Sequence, residues 1–141
     1  MQMAKTVMVA ALPASHRDLL ERPIVAALAT TLPDGTPQVT PVWFHEEDGY
    51  IYINSKRGRL KDRAIRETPY VALAIVDPDD PYRYLAIRGP VVEMWGEDEG
   101  GREHIDFLAR RYRGDAKYGG PPNEHRVKYK IAPEYVTTMG K

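Results

Sequence analysis

Thr36-Pro37-Gln38-Val39-Thr40-Pro41-Val42-Trp43-Phe44-His45, then Glu46-Glu47-Asp48-Gly49, then Tyr50-Ile51-Tyr52-Ile53-Asn54 is the stretch that decides the fold class of this 141-residue chain. β-branched and aromatic residues fill both runs, and an acidic Asp-Gly turn joins them, as in two antiparallel strands closed by a hairpin. Upstream, Ile24–Thr31 is rich in Ala and β-branched residues, and Pro33-Asp34-Gly35 supplies a second tight turn. Three strands joined by short turns make a meander, which excludes the βαβ rhythm of a parallel sheet.

Downstream, Tyr70–Val76 and Tyr82–Trp95 read as two further strands around the turn Asp77-Pro78-Asp79-Asp80-Pro81. Near the C-terminus Val127, Tyr129 and Ile131 alternate with Arg126, Lys128 and Lys130, the period of a strand with its basic residues turned outward. Ser15 is placed to cap a short helix through Glu21, with Asp18 in its first turn and Pro23 as its stop. The basic stretch between Asn54 and Tyr70 is compatible with a helix that turns Leu60 and Ala64 toward the sheet. Glu97–Arg113 predicts another, because Ile105, Leu108, Ala109 and Tyr112 share one face. Gly114–Asn123, with Gly119-Gly120-Pro121-Pro122, predicts a flexible loop. The sum is a mainly β, α+β chain: a six-stranded antiparallel barrel with flanking helices. With no repeat and no linker, residues 1–141 read as one domain, residues 1–14 being an N-terminal arm.

Composition narrows the chemistry. At 43% hydrophobic and 28% charged residues the chain is neither disordered nor a membrane protein. Twenty basic and twenty acidic residues cancel, so the overall field gives no reason to expect nucleic acid as a partner. Any anion site must come from local clustering. The absence of cysteine rules out disulfides, thiolate metal ligation and a cysteine nucleophile. The four histidines are scattered without metal-ligand spacing, which predicts no metal site. Lys5 and the apolar run Val7–Leu12 resemble a signal peptide only faintly, since that run is below the ~7–15 residues of a signal core. No apolar run approaches the ~18 residues of a transmembrane helix. We read the protein as cytoplasmic. No nucleophile elbow, Walker loop or dinucleotide glycine run occurs, so an enzymatic activity would draw its reactive atom from a cofactor.

Three segments stand out. From Lys56 to Arg66, six of eleven residues are basic and one, Asp62, is acidic. A strand, a turn containing Ser55 and Gly58, and a helix opening with Arg59 and Lys61 is a recipe for a phosphate pocket; it fits equally a solvated basic helix with one Asp partner. In the second segment, Pro41 removes a ladder donor inside a strand, and Trp43 and Phe44 are placed either to stack on a flat ring or to pack in the core. The third, Asp77–Tyr84, is a rigid acidic turn that reads on its own as a surface hairpin.

Taken together, Pro37–Phe44, Gly49–Asn54, Arg59-Leu60-Lys61-Asp62-Arg63 and Pro69-Tyr70-Val71-Ala72-Leu73 resemble the pyridoxamine-phosphate-oxidase-like split β-barrel superfamily. Asp77–Tyr84 followed by Ile87-Arg88-Gly89 resembles its deazaflavin branch, the B group of flavin/deazaflavin oxidoreductases. The resemblance implies a homodimer with cofactors in grooves at the interface. It implies that Ser55, Lys56, Arg59 and Lys61 grip the cofactor phosphate, with Arg63 in the same motif, and that Asn54 belongs to the cofactor-binding set. Gln38, Val42, Trp43 and Phe44 would line the tricyclic ring, and Tyr82, Arg83 and Tyr84 would approach it from the facing subunit. The chain lacks the C-terminal Arg/His pattern of true pyridoxamine-phosphate oxidases, which argues against vitamin B6 oxidation. The leading expectation is a deazaflavin oxidoreductase that uses reduced coenzyme F420 to deliver hydride to a small electron-poor substrate, no residue being singled out as catalytic. Arg57 and Arg66 suit the acidic tail of F420. The alternatives are an FMN-dependent reductase or oxidase on the same barrel, and a non-catalytic flavin- or F420-binding protein.

Overall fold

The computed structural model describes residues 8–121 and 123–141. Its eight strands are β1 (Ala26–Thr31), β2 (Pro37–Val42), β3 (Phe44–Glu47), β4 (Tyr50–Lys56), β5 (Tyr70–Asp77), β6 (Asp80–Trp95), β7 (Arg126–Ile131) and β8 (Tyr135–Met139). The helices are α1 (Asp18–Glu21), α2 (Leu60–Glu67) and α3 (Gly101–Arg113). All strand pairs are antiparallel, in the order β2-β1-β5-β6-β7-β4-β3, with β8 on β6.

Two chain segments pass from one half of this arrangement to the other, and they make it a split barrel rather than a flat sheet. β6 is long enough to pair with β5 and β8 through its first half and with β7 through its second, its register shifting between Val91 and Glu93. The β2–β3 run leaves β1 at Val42 and joins β4 at Phe44, with Trp43 alone between them. Leu28 and Leu85 from one half meet Phe44, Ile53, Tyr129 and Ile131 from the other in a single buried cluster. Each such side chain is worth roughly 1.5–3 kcal/mol of burial. The hairpin between β3 and β4 turns on Asp48 (φ 53°) and Gly49 (φ 85°), the paired positive values that match strand twist.

The antiparallel α+β class is as expected, but eight strands replace the predicted six. Thr36–His45 is two strands because Tyr112, reaching over from α3, takes the ladder's place at the break: its hydroxyl accepts from Phe44 N (3.1 Å) and donates to Ile24 O (2.7 Å). Tyr135–Met139 carries no strand signal because four of its five residues are exposed and the fifth partly so, without apolar alternation; pairing with Tyr84–Arg88 alone makes it a strand. The predicted helix over 97–113 is a 3-10 turn, Glu97–Glu99, followed by α3, since the Glu99 carboxylate folds back onto Gly96 N (3.0 Å) and closes the turn. Ser15 caps no helix; its hydroxyl meets His16 Nδ1 at 2.8 Å, and α1 is a single turn. In α2 Leu60 is exposed and Asp62 buried, a rotation of about one residue from the expected face. Residues 1–7 of the expected N-terminal arm and Pro122 of the expected loop lie outside the described residues. The rest of that loop has no regular structure and is tied down where Tyr118 N donates to Asp106 Oδ1 (2.9 Å) and Arg110 Nη1 to Ala116 O (3.2 Å). No helix among the described residues is long and apolar enough to cross a membrane.

Candidate functional site

Where the β2–β3 run changes sheets, the barrel wall opens into a cavity of about 360 Å³. Pro41, Val42 and Trp43 form one wall, Ile105 and Leu108 of α3 the apolar floor, and Asn54 and Ser55 of β4 the side toward α2. Arg59, Lys61, Arg113 and Arg126 bring positive charge to the lining, which Val25 and Tyr118 complete. Four cations therefore border a cavity in a chain whose net charge is zero.

The polar end is built by the start of α2. Asp62 is fully enclosed and accepts from Gly58 N (2.9 Å), from Arg66 Nε (3.1 Å) and from the Tyr129 hydroxyl. Burial pushes its carboxyl up, but those donors outweigh burial and hold it below the usual carboxylate value. The one acid of the basic run is thus spent on fixing the turn and the helix. No carboxylate of the described residues pairs with Arg59 or Lys61. Burial, then the neighbouring Arg59 and Arg126 guanidiniums, makes Lys61 harder to protonate than an ordinary lysine. Ser55 Oγ, buried beside these cations, has no hydrogen-bond partner among the described residues. An enclosed hydroxyl without a partner among crowded like charges is complementary to an anion with several acceptor oxygens.

Aromatic rings stand among these cations, the Arg126 guanidinium lying 4.9 Å from the Tyr118 ring centre. Trp43 stacks on Tyr112 (centroids 5.2 Å apart, planes at 11°) and meets Tyr118 edge-on at 6.4 Å. The Arg113 guanidinium lies 4.9 Å from the Trp43 ring centre. α3 holds this wall through Arg111, which donates to Phe44 O (3.1 Å), Leu20 O (2.9 Å) and Arg22 O (2.9 Å), pinning the strand break to the end of α1.

Of the residues expected from sequence, Val42, Trp43, Asn54, Ser55, Arg59 and Lys61 come together at this cavity. The others sit elsewhere. Phe44 is wholly in the core. Gln38 lies along β2 with its Oε1 buried and unpartnered, and Lys56 ends β4 opposite Arg126. Arg63 is exposed on α2. Tyr82 is 78% exposed, Tyr84 pairs with Met139 in the sheet, and Arg83 is held by Asp18 and Asp77. Sequence reading missed Arg126, Arg113 and Tyr118. Arg126 was expected to face outward with Lys128, yet it is buried, its Nε donating to Asn54 Oδ1 (2.9 Å) and its Nη1 facing Glu124 Oε2 at 3.2 Å. Lys128 is not a free surface lysine either, its ammonium lying 4.8 Å over Tyr52 and 5.0 Å over Trp95. The carboxylate of Glu124, two residues before Arg126 in the loop that leads into β7, was the signal available.

A split antiparallel barrel with a cavity lined by both aromatic rings and cations is a fold of the flavin-type cofactor-binding class. Residues 12–140 match the pyridoxamine 5'-phosphate oxidase family, and the chain belongs to it. Among solved structures, an F420 reductase is 37% identical, with 89% of this chain and 98% of that one covered at a TM-score of 0.77. A conserved hypothetical protein of Mycobacterium tuberculosis, 22% identical over 98% of this chain and 89% of its own, superimposes at 0.72. A protein of unknown function from Agrobacterium tumefaciens, 24% identical, also gives 0.72 over 97% of this chain and 62% of its own, and these two share the fold alone. No curated protein matches the sequence significantly. The fold is that of an oxidoreductase family.

Proposed function

We propose that this protein is a deazaflavin oxidoreductase that uses reduced F420 to transfer hydride to a small electron-poor organic molecule. The observation that carries the proposal is the pairing of a Trp43 wall with the unneutralised Arg59–Lys61 end in one cavity. The 37% likeness to an F420 reductase supports it. When bound, the reduced deazaflavin supplies the hydride. Trp43 and Val42 hold the ring, Ser55, Arg59 and Lys61 hold the phosphate, and the Ile105–Leu108 floor excludes water. Arg66, engaged by Asp62, is not free to meet the acidic tail; exposed Arg57 is.

The outer face of β1, β5 and β6 supports a homodimer. Ala27, Ala29, Ala72, Ala74 and Ala86 line a shallow apolar concavity of about 350 Å³, flanked by the exposed Val39 and Tyr135. Small side chains let a second sheet approach closely, and burying that face removes apolar surface from water. Exposed Tyr82 is then available to a partner's cavity. Sedimentation at micromolar concentration is expected to give a dimer; a well-folded monomer overturns that part.

The test of function is a titration with F420 and with FMN at moderate salt, followed by turnover of reduced F420 with a quinone. Tighter F420 binding with turnover is expected. Tighter FMN binding moves the assignment to an FMN enzyme, and F420 binding without turnover to a carrier.

A further inference from the structure

From Asn54 and Arg126 in the cavity wall a line of buried polar side chains runs back to His104 and His45, which line no part of that cavity. Arg126 Nε donates to Asn54 Oδ1 (2.9 Å), and Asn54 Nδ2 donates to Gly101 O (3.0 Å) and faces His104 Nδ1 (3.1 Å). His104 Nε2 faces His45 Nδ1 at 3.0 Å, and His45 Nε2 lies 3.7 Å from Glu47 Oε1 at the mouth of a second cavity. Asn54, His104, His45 and Arg126 are all buried.

The donors can be assigned from chemistry. A guanidinium has hydrogens to give and no lone pair to receive with. Asn54 must therefore present its oxygen to Arg126 and its nitrogen to His104. His104 Nδ1 is then an acceptor, its proton sits on Nε2, and it donates to His45 Nδ1. The His45 proton is left on Nε2, toward Glu47. Every hydrogen bond points the same way, from Arg126 to the second cavity, and the guanidinium locks that direction. Gly101 allows the approach: a Cβ there would sit 2.1 Å from Arg126 O.

We propose that Asn54, His104 and His45 are positioning residues that fix the Arg126 guanidinium at the cationic end of the first cavity for an anionic group of the ligand. The inference rests on the reading of that cavity as the cofactor site. If Asn54 loses its acceptor in His104, its amide nitrogen is held by Gly101 O alone, and Arg126 Nε has a less firmly fixed partner. Glu124, at 3.2 Å from Nη1 without hydrogen-bond geometry, then draws the guanidinium away from the cavity. Both rings are held neutral, as the chain requires: His45 down to about 4 by burial, then by Lys128 and Arg111 against Glu46, and His104 down to about 2 by burial, then by His45, Lys128 and Arg126.

The test compares His104→Phe, which removes the acceptor, with His104→Asn, whose amide oxygen replaces Nδ1. Titration with F420 and FMN is expected to show about tenfold weaker binding for the Phe variant, the weight of one charge-assisted hydrogen bond. The Asn variant should stay near wild type, although both lose Tm. In an Arg126→Ala background His104→Phe should have no further effect on affinity. His45→Phe, at the mouth of the second cavity, serves if His104→Phe does not fold. Independently of any cofactor, NMR should find the Arg126 Nε–H protected from exchange in the wild type and unprotected in the Phe variant. Affinity that simply tracks Tm in both variants, or an Nε–H still protected in the Phe variant, overturns the proposal. Failure of the wild type to bind either cofactor defeats the functional reading, and the exchange measurement still decides the positioning.

Discussion

Two arginine clusters on this small barrel have opposite fates. Arg83 uses its whole guanidinium: Nη2 donates to Asp18 Oδ1 (2.6 Å) and Ser15 O (2.9 Å), Nη1 to Asp77 Oδ2 (2.9 Å), and Nε to Lys141 O (2.9 Å). Arg22 extends the cluster to Asp79 (2.9 Å). At the start of α2, Arg59 and Lys61 stand with no carboxylate, crowded by Arg126. The first cluster is charge already matched, and it ties the α1 turn to the β5–β6 hairpin. The second is charge held in reserve. Both regions look equally conspicuous as sequence; what separates them is whether the fold delivers acids to the bases.

The largest effect should come from the one acid inside the basic run. Asp62→Ala strands the Tyr129 hydroxyl, Gly58 N and Arg66, and should lower stability by about 3–5 kcal/mol in denaturant unfolding, as when a buried ion pair is broken. Because the folded carboxyl is held below its unfolded value, its contribution is present above about pH 4 and fades as pH falls further. A loss below about 1 kcal/mol would mean that Asp62 is available to neutralise Lys61, and the contrast between the clusters would collapse.

Lys61→Ala comes next. Removing one charge-assisted phosphate contact should cost about 1.5–3 kcal/mol, or ten- to a hundredfold in cofactor affinity, with Tm held or slightly raised because a crowded cation is relieved. Arg63→Ala, on the exposed side of the same helix, is the control. Arg83→Ala should do the reverse: a lower Tm that salt attenuates, and cofactor affinity near wild type in the monomeric cavity. If Arg83→Ala weakens cofactor binding as much as Lys61→Ala, its guanidinium serves the site across a dimer interface.

The comparison also marks how far sequence carries. Alternation and turn chemistry gave the antiparallel hairpins, the one at Asp48-Gly49 among them, and the strand-to-helix turn before α2, because those signals are local. The division at Trp43 depends on Tyr112, 68 residues away from Phe44, and no local pattern announces a partner at that distance. Arg126 sits at an alternating position that reads as outward; it turns in because Asn54 and Glu124, from a different strand and a loop, satisfy it. Arg83 was legible as part of a motif but not as spent, since Asp18 lies 65 residues earlier. Local periodicity fixes which residues face inward only where the partners are apolar; buried charges follow partners that topology supplies.

The smallest effect is the one that separates F420 from FMN. Arg57 lies in the exposed turn between β4 and α2, its backbone N held by His125 O (2.7 Å) while its side chain is free in solvent. An FMN phosphate ends at the Ser55–Lys61 pocket and has nothing further to offer Arg57. On the proposed function, F420 would continue into an acidic tail; if that tail leaves the cavity at this end, Arg57 would meet it in a solvated, screened environment. Exposed pairs of that kind are worth about 0.2–1 kcal/mol, so Arg57→Ala should weaken F420 binding about two- to fivefold at low salt and leave FMN binding unchanged. Raising the salt should erase the difference, whereas the Lys61 effect should persist because that contact is partly buried. Equal weakening of F420 and FMN would place Arg57 on the phosphate itself, and no change in either would send the tail along Arg113 on the opposite rim.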